Sequence, residues 1–391
     1  MASNHNTKKP RALTRREALQ LAAGGAMGLV LYSPLLSFAT QTQKALLRKK
    51  LVWVVLRGAL DSLHAVPPLF DPDLRGHRAS LVDAIEKKAR PLARGFALHP
   101  SLSFCHKAWQ DKQFLPIVAV ATDYRERSHF DAQDVLESGR IQGREGWLGR
   151  ALDQRAAEAI SITQTLPLSL RGSNQARTYY PSNFREPSGD FYDRLRLMYR
   201  QDKALSAYLE KGLETRGMLN DPMRGRVGNF VTLASRAGEL LTGDGASDCA
   251  MLEMGGWDTH NAQIGRLDRQ LKQLDQGLKA LKTKLGQAWQ NTVVIVATEF
   301  GRTVRVNGTA GTDHGTASSL WLLGGAVKGG RVLGEWPGLA PDKLFENRDL
   351  APTSRTDDWL ASVLTQHWQL DAKQLNRVFG SARMSEEQLI V

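Results

Sequence analysis

The sequence predicts an α/β domain, a mostly parallel sheet with helices on both faces. Three observations predict it. Continuous apolar runs rich in β-branched residues recur along the chain, as in strands covered on both sides. Amphipathic helical segments lie between them. Polar clusters follow four of the runs immediately, which is where open α/β sheets place their ligands.

Residues 1–39 stand apart. Basic and polar residues lead to Thr14-Arg15-Arg16-Glu17-Ala18-Leu19, and an uncharged stretch rich in Ala, Gly and Leu follows, over 19–39. Two adjacent arginines ahead of a modestly hydrophobic segment form a twin-arginine signature. Ser37-Phe38-Ala39 offers the small residues that a signal peptidase reads. The expectation is a signal peptide over 1–39, one domain over 40–391, and a periplasmic or otherwise exported location. The twin-arginine translocase is the expected partner during export. An uncleaved anchor is the alternative, because the stretch is about long enough to span a bilayer; its glycines and Pro34 disfavour a permanent helix.

Strands are expected over 51–56, 116–121, 249–254, 292–297 and 319–323. The clearest helix runs over 262–289. There Ile264, Leu267, Leu271, Leu274, Leu278, Leu281 and Leu285 recur at spacings of three and four, giving one apolar stripe. Residues 194–214 and 230–241 are further helix candidates. Residues 165–190, rich in Ser, Arg, Asn, Pro and Tyr, show no period and read as a long excursion.

The 391 residues carry 52 Lys and Arg against 40 Asp and Glu, a net charge of +12. The basic residues are scattered among acidic ones, with no stripe interleaved with aromatics, so nucleic acid is not an expected partner. The positive field suits an anionic substrate. Cys105 and Cys249 each lie in an apolar segment, and two buried free thiols are expected in preference to a disulfide. No dinucleotide fingerprint, haem motif or cysteine cluster supports redox chemistry.

The four polar clusters carry the chemistry. They are Arg57-Gly58-Ala59-Leu60-Asp61-Ser62-Leu63-His64, residues 122–131 ending in Arg127-Ser128-His129-Phe130-Asp131, Gly255-Gly256-Trp257-Asp258-Thr259-His260, and Thr298-Glu299-Phe300-Gly301-Arg302 with Thr312-Asp313-His314-Gly315 beyond. All bear carboxylates and, with that last extension, all bear a histidine. Asp258 and His260 are two apart, so in extended chain they share a side. Imidazole and carboxylate together suit zinc, manganese or iron, and carboxylates suit magnesium or calcium. A divalent ion held by Asp258, His260 and His314, with Asp61, Glu299 and Asp313 contributing, is the expectation; a turn with a helix cap is the other reading of Asp313-His314. Glycines at 255, 256, 301, 311 and 315 permit tight turns. Ser128 opens a helix, either as a nucleophile or as an N-cap in a box with Asp131. His129 is a ligand or a general acid or base.

In this order the motifs resemble the family called domain of unknown function 1501, of the alkaline-phosphatase-like superfamily. Leu56-Arg57-Gly58-Ala59-Leu60-Asp61, Arg127-Ser128-His129-Phe130-Asp131-Ala132-Gln133-Asp134, Gly255-Gly256-Trp257-Asp258-Thr259-His260, Thr298-Glu299-Phe300-Gly301-Arg302 and Gly311-Thr312-Asp313-His314-Gly315 carry it. Gly329-Gly330-Arg331-Val332-Leu333-Gly334 and Arg348-Asp349-Leu350-Ala351-Pro352-Thr353 complete it. The resemblance implies an alkaline-phosphatase-like fold and a two-metal site. Asp61 would be its first-strand ligand, Asp258, His260 and His314 would serve one metal, and Glu299 with Phe300 would stand for its later Asp-His pair. Phe300 departs, since phenylalanine binds no metal; either that site is lost or His129 supplies the imidazole. Asp61-Ser62-Leu63-His64 departs from the family's more usual Asp-Gly-Leu-Asn. No Cys or Ser followed by x-Pro-Ser-Arg occurs, which argues against a formylglycine sulfatase. The implied function is an exported metal-dependent hydrolase of phosphate or sulfate esters, with Ser128, His129 and Arg302 as its reacting and anion-binding residues and Arg127 as a second anion-binding candidate. The alternative is a metal-stabilised binding protein that kept the fold and lost the chemistry.

Overall fold

Strand β1 (Lys50–Leu56) is buried at every position. Both of its faces meet apolar side chains, so the sequence has no polar face to alternate with. Val52, Val54 and Leu56 pack into one core layer, and Leu51, Trp53 and Val55 into the other. The computed structural model describes residues 48–180, 189–217, 229–243 and 245–391. The signal-peptide reading of residues 1–39 lies outside these. No helix among the described residues is long and apolar enough to cross a membrane.

In chain order the elements used below are α1 (Leu74–Ile85), α2 (Ser103–Gln110), β2 (Phe114–Ala121), α3 (His129–Ser138), α4 (Trp147–Arg155), β3 (Ala159–Ser161), β4 (Ala176–Thr178), α5 (Gly189–Tyr199), α6 (Lys203–Gly217) and α7 (Phe230–Leu240). Then come β5 (Cys249–Met254), α8 (Gln263–Leu285), β6 (Thr292–Thr298), β7 (Ser318–Leu323), β8 (Ser354–Arg355), α9 (Thr356–Val363) and α10 (Ala372–Phe379). The sheet order is β8-β2-β7-β6-β1-β5-β3-β4. Every pairing is parallel except those of β7, which runs antiparallel to β2 and β6. The α/β class with a mostly parallel sheet therefore holds.

Helices cover both faces. Cys105 and Ala108 of α2, Leu233 and Ala237 of α7, and the leucines of α8 pack on one side. Leu136 of α3, Trp147 and Leu152 of α4, Leu360 of α9 and Val378 of α10 pack on the other. In α8 the stripe holds from Leu267 to Leu285, all buried, each leucine contributing roughly 1.5–3 kcal/mol of apolar burial. Ile264 falls off it at 41% exposure, because the helix starts only at Gln263 and turns the Gln263 side chain inward instead. Gly286, at φ +52°, ends α8 before the expected residue 289. The expected helix over 194–214 is two helices. Asp202 lies between them, and its Oδ1 accepts from the amides of Ala204 (2.9 Å) and Leu205 (3.0 Å), starting α6 afresh. Both cysteines are free and buried.

Because β1, β5 and β6 are adjacent and parallel, and β2 runs the same way, their carboxyl ends share one edge. The antiparallel β7 starts from that edge, so the loop over 299–317 closes there too. All four polar clusters are brought to this place.

Candidate metal centre

Two backbone approaches close the edge. Gly58 (φ +116°) lies against the chain after β5, where a Cβ would stand 2.7 Å from the Asp258 amide nitrogen. Gly311 lies against the next turn, where a Cβ would stand 2.2 Å from the His260 carbonyl. Only glycine admits both contacts. Asp258, His260 and His314 thereby converge. His260 Nε2 is 2.9 Å from Asp258 Oδ1 and 3.0 Å from His314 Nε2, and His314 Nε2 is 3.3 Å from Asp258 Oδ1. His129 joins them from the first turn of α3: its Nε2 is 3.6 Å from Asp258 Oδ2, and its ring sits edge-on to His314 at 4.3 Å. Ligand atoms of His129, Asp258 and His314 all lie within 4.8 Å of one another.

The hydrogen bonds on the far side of each ring decide its tautomer. His314 Nδ1 faces the Arg127 carbonyl at 3.0 Å, and a carbonyl only accepts. His260 Nδ1 donates to Asp313 Oδ1 at 3.2 Å, and His129 Nδ1 to Glu299 Oε1 at 2.8 Å. In the neutral rings all three Nδ1 atoms carry the proton, so all three Nε2 atoms, 2.9, 3.3 and 3.6 Å from Asp258, carry a lone pair. The Nε2 of His129, buried, has no hydrogen-bond partner. Burial, reinforced by the neighbouring His129, lowers the His314 pKa. At Asp258 burial alone would raise the pKa, and the Arg302 guanidinium together with His260 and His314 lowers it.

This donor set fits a divalent ion. A tetrahedral zinc with ligands at 2.0–2.1 Å has ligand–ligand edges of about 3.3 Å, and the edges here are 2.9, 3.0 and 3.3 Å. Imidazoles backed by a carboxylate or carbonyl on Nδ1 are the usual way a protein orients metal ligands. Without a cation, two of these lone pairs face each other.

Three expected ligands are placed otherwise. Asp61 is buried and takes both oxygens to Arg78 Nη1, at 2.9 and 3.0 Å, and Oδ2 to Gln263 Nε2 at 2.5 Å. Its carboxylate is held by a guanidinium and an amide. Glu299, also buried, accepts from the Gly58 amide (2.7 Å), His129 Nδ1 (2.8 Å), Gln133 Nε2 (3.0 Å) and Thr298 Oγ1 (2.9 Å). It orients His129. Asp313 stands behind His260 and also accepts from Asn307 Nδ2 at 3.0 Å. Arg302 is placed against its expected role as an anion clamp. Its fully buried guanidinium donates to Asp258 Oδ1 at 2.5 Å, to Thr312 Oγ1 at 3.2 Å and to the Thr312 carbonyl, so the fork faces inward. Arg127 is likewise committed, to Asp349 at 2.9 Å and to Glu346.

Ser128 is the N-cap residue of α3, and its side chain makes no cap hydrogen bond, so the capping box is not formed. Phe300 stacks on His129 with centroids 4.9 Å apart. Arg78 and Gln263, which fix Asp61, and Asn307, which fixes Asp313, carried no signal in the sequence. They reach the site from helices and a loop with no motif around them, whereas Gln133, which donates to Glu299, lies within the Arg127–Asp134 motif without having been singled out.

Residues 241–379 match a family described as protein of unknown function, DUF1501. It is the family read from the motifs. The matched segment holds Asp258, His260, Glu299, Arg302, Asp313 and His314, whereas Asp61, Ser128 and His129 precede it. No curated protein matches the chain. Among solved structures, the chain is similar to the alkaline phosphatase of the Antarctic bacterium TAB5, with 10% identity, TM-score 0.34, and coverage of 71% of this chain and 92% of that one. It is similar to the C-terminal periplasmic domain of EcEptC from Escherichia coli, determined with zinc, with 10% identity, TM-score 0.35, and coverage of 71% and 73%. A Bacteroides thetaiotaomicron protein from a glycosaminoglycan-metabolism locus gives 10% identity, TM-score 0.44, and coverage of 86% and 75%.

Proposed function

We propose that the protein is an exported, metal-dependent hydrolase of phosphate or sulfate esters. The observation that carries the reading is the convergence of the His129, His260 and His314 Nε2 atoms on Asp258 at the carboxyl edge of a mostly parallel sheet. Imidazole-rich donors suit zinc best and magnesium or calcium least. A divalent ion held by Asp258, His260 and His314 would act as a Lewis acid on an ester oxygen.

The chain's own groups supply the rest. Asp313 and the Arg127 carbonyl keep His260 and His314 in the ligating tautomer. Ser128 precedes α3 and leaves the first-turn amides of that helix unclaimed by a cap, so they are available to an anionic ester together with the positive end of the helix dipole. Ser128 offers the attacking hydroxyl. His129 Nε2, with Glu299 behind its Nδ1, is the proton acceptor beside it. The test is turnover of phosphate and sulfate monoesters by metal-loaded protein. Hydrolysis that disappears in both His260→Ala and His314→Ala supports the reading; no hydrolysis of either ester class with a full metal complement refutes it.

One observation favours the second reading, a metal-stabilised binding protein. Arg302 and Arg127 both turn their guanidiniums onto carboxylates of the fold, so neither offers a free fork to an anion. Full metal content with no turnover is its signature. Export rests on Arg15 and Arg16. Replacing both with Lys is expected to leave precursor in the cytoplasm, and normal export of that variant would contradict it.

A further inference from the structure

We propose that the centre is built for one ion, and that the buried Arg78–Asp61 pair fills the place a second would need. The inference rests on the metal reading above.

The carboxyl edge of the sheet has enough acids for two ions: Asp61, Asp258, Glu299 and Asp313. Their partners divide them. A carboxylate offers about four lone-pair sites. Glu299 Oε1 takes donors from Gly58, His129 and Gln133, Oε2 lies 2.9 Å from the Thr298 hydroxyl, and the side chain is fully buried. Asp61 has three short contacts, two from one Arg78 nitrogen and one from Gln263. Neither turns an unclaimed donor set toward a cation.

Arg78 is not a loose counter-ion that an incoming metal would push aside. Its side chain is fully buried, and its Nε and Nη2 donate to the Val304 carbonyl (2.9 Å) and the Thr303 carbonyl (2.7 Å). Helix α1 is interrupted at Arg78 itself, at φ −148° and ψ 44°. An ion at Asp61 would have to displace a guanidinium that has nowhere solvated to go, or share the space with a like charge. Burying an unpaired charge is strongly unfavourable. Arginine does not deprotonate, so this built-in positive charge is permanent. The residue stacked on His129 is Phe300, which has no ligand atom. What remains converging is the Nε2 of His260 and of His314 with the Asp258 carboxylate, which Arg302 also holds, three ligands such as one tetrahedral ion with an open position takes.

The experiment counts ions. Metal-stripped full-length protein is loaded with excess zinc, desalted, and weighed by native mass spectrometry, alongside Asp61→Asn and His260→Ala. One zinc is expected in the wild type, one in Asp61→Asn and none in His260→Ala. Two zincs in the wild type overturn the inference and leave metal binding standing. One in the wild type falling to none in Asp61→Asn puts Asp61 among the ligands and overturns it as well. None in the wild type overturns the metal reading itself. If Asp61→Asn does not fold, because Arg78 is left unpaired, the wild-type count alone decides between one and two.

Discussion

His260 and His314 present their Nε2 atoms to each other at 3.0 Å, each ring locked from behind by an acceptor on Nδ1. Two neutral imidazoles held this way repel unless a cation lies between them. On the proposed reading that cation is the metal ion, which then contributes to the stability of this edge of the sheet. Chelation of the wild type is expected to lower the melting temperature, and the His260→Ala and His314→Ala proteins are expected to melt near the chelated wild type and to ignore the chelator. With free ion at a hundred times its dissociation constant the difference is about 2.7 kcal/mol. Calorimetric melting with and without chelator checks it; equal chelator sensitivity in wild type and both variants would count against the site.

Asp313 touches His260 and stands one bond behind the ligands. Asp313→Asn keeps the shape and weakens the hold on the His260 Nδ1 proton. Zinc affinity measured by competition with a chromogenic chelator is expected to fall by roughly 10–100-fold. Glu299→Gln should act the same way on the His129 side if His129 contributes a ligand, and leave zinc affinity unchanged if His129 serves only as an acid or base.

Ser128 separates a structural role from a chemical one. Its side chain makes no cap hydrogen bond, so Ser128→Ala lacks the ~1 kcal/mol penalty of a lost cap. Denaturant unfolding should place the variant near wild type, while ester turnover falls by orders of magnitude with zinc content unchanged. A variant that keeps full turnover removes Ser128 from the reacting edge.

Some of this was legible in the chain and some was not. The strands announced themselves because a doubly covered sheet needs unbroken apolar runs, as in Lys50–Leu56 and Thr292–Thr298. Asp258 and His260 were legible as a pair because extended chain puts residues two apart on one side. Asp61 was legible as a carboxylate after a strand end, and was read as a metal ligand; its partner was not legible. Arg78 lies seventeen residues on in a helix with no motif, and the direction of a side chain is set by packing. Arg302 misled for the same reason: an arginine beside a glycine turn reads as an anion clamp, and only the fold shows its fork turned onto Asp258 and Thr312.

The pH dependence of stability should come from three buried histidines that are not among the candidate ligands. Burial depresses His64 to about 3, His99 to about 4 and His367 to about 4. In the unfolded chain each takes a proton near pH 6.5, so below that value the unfolded state binds more protons and stability falls with pH. The loss runs from about pH 6.5 down to the folded values. Asp357, raised by burial to about 6, acts in the opposite sense as one group against three. Urea unfolding between pH 7.5 and 4 should show a steady decline; stability flat across that window would mean these rings are not buried neutral.

The central claim is that the side chains of Asp258, His260 and His314 hold a divalent ion. Elemental analysis of the freshly purified wild-type protein beside the His260→Ala/His314→Ala double variant tests it most directly. About one zinc-class ion per chain in the wild type and none in the variant is the predicted result. A wild type with no more bound metal than the double variant would contradict it.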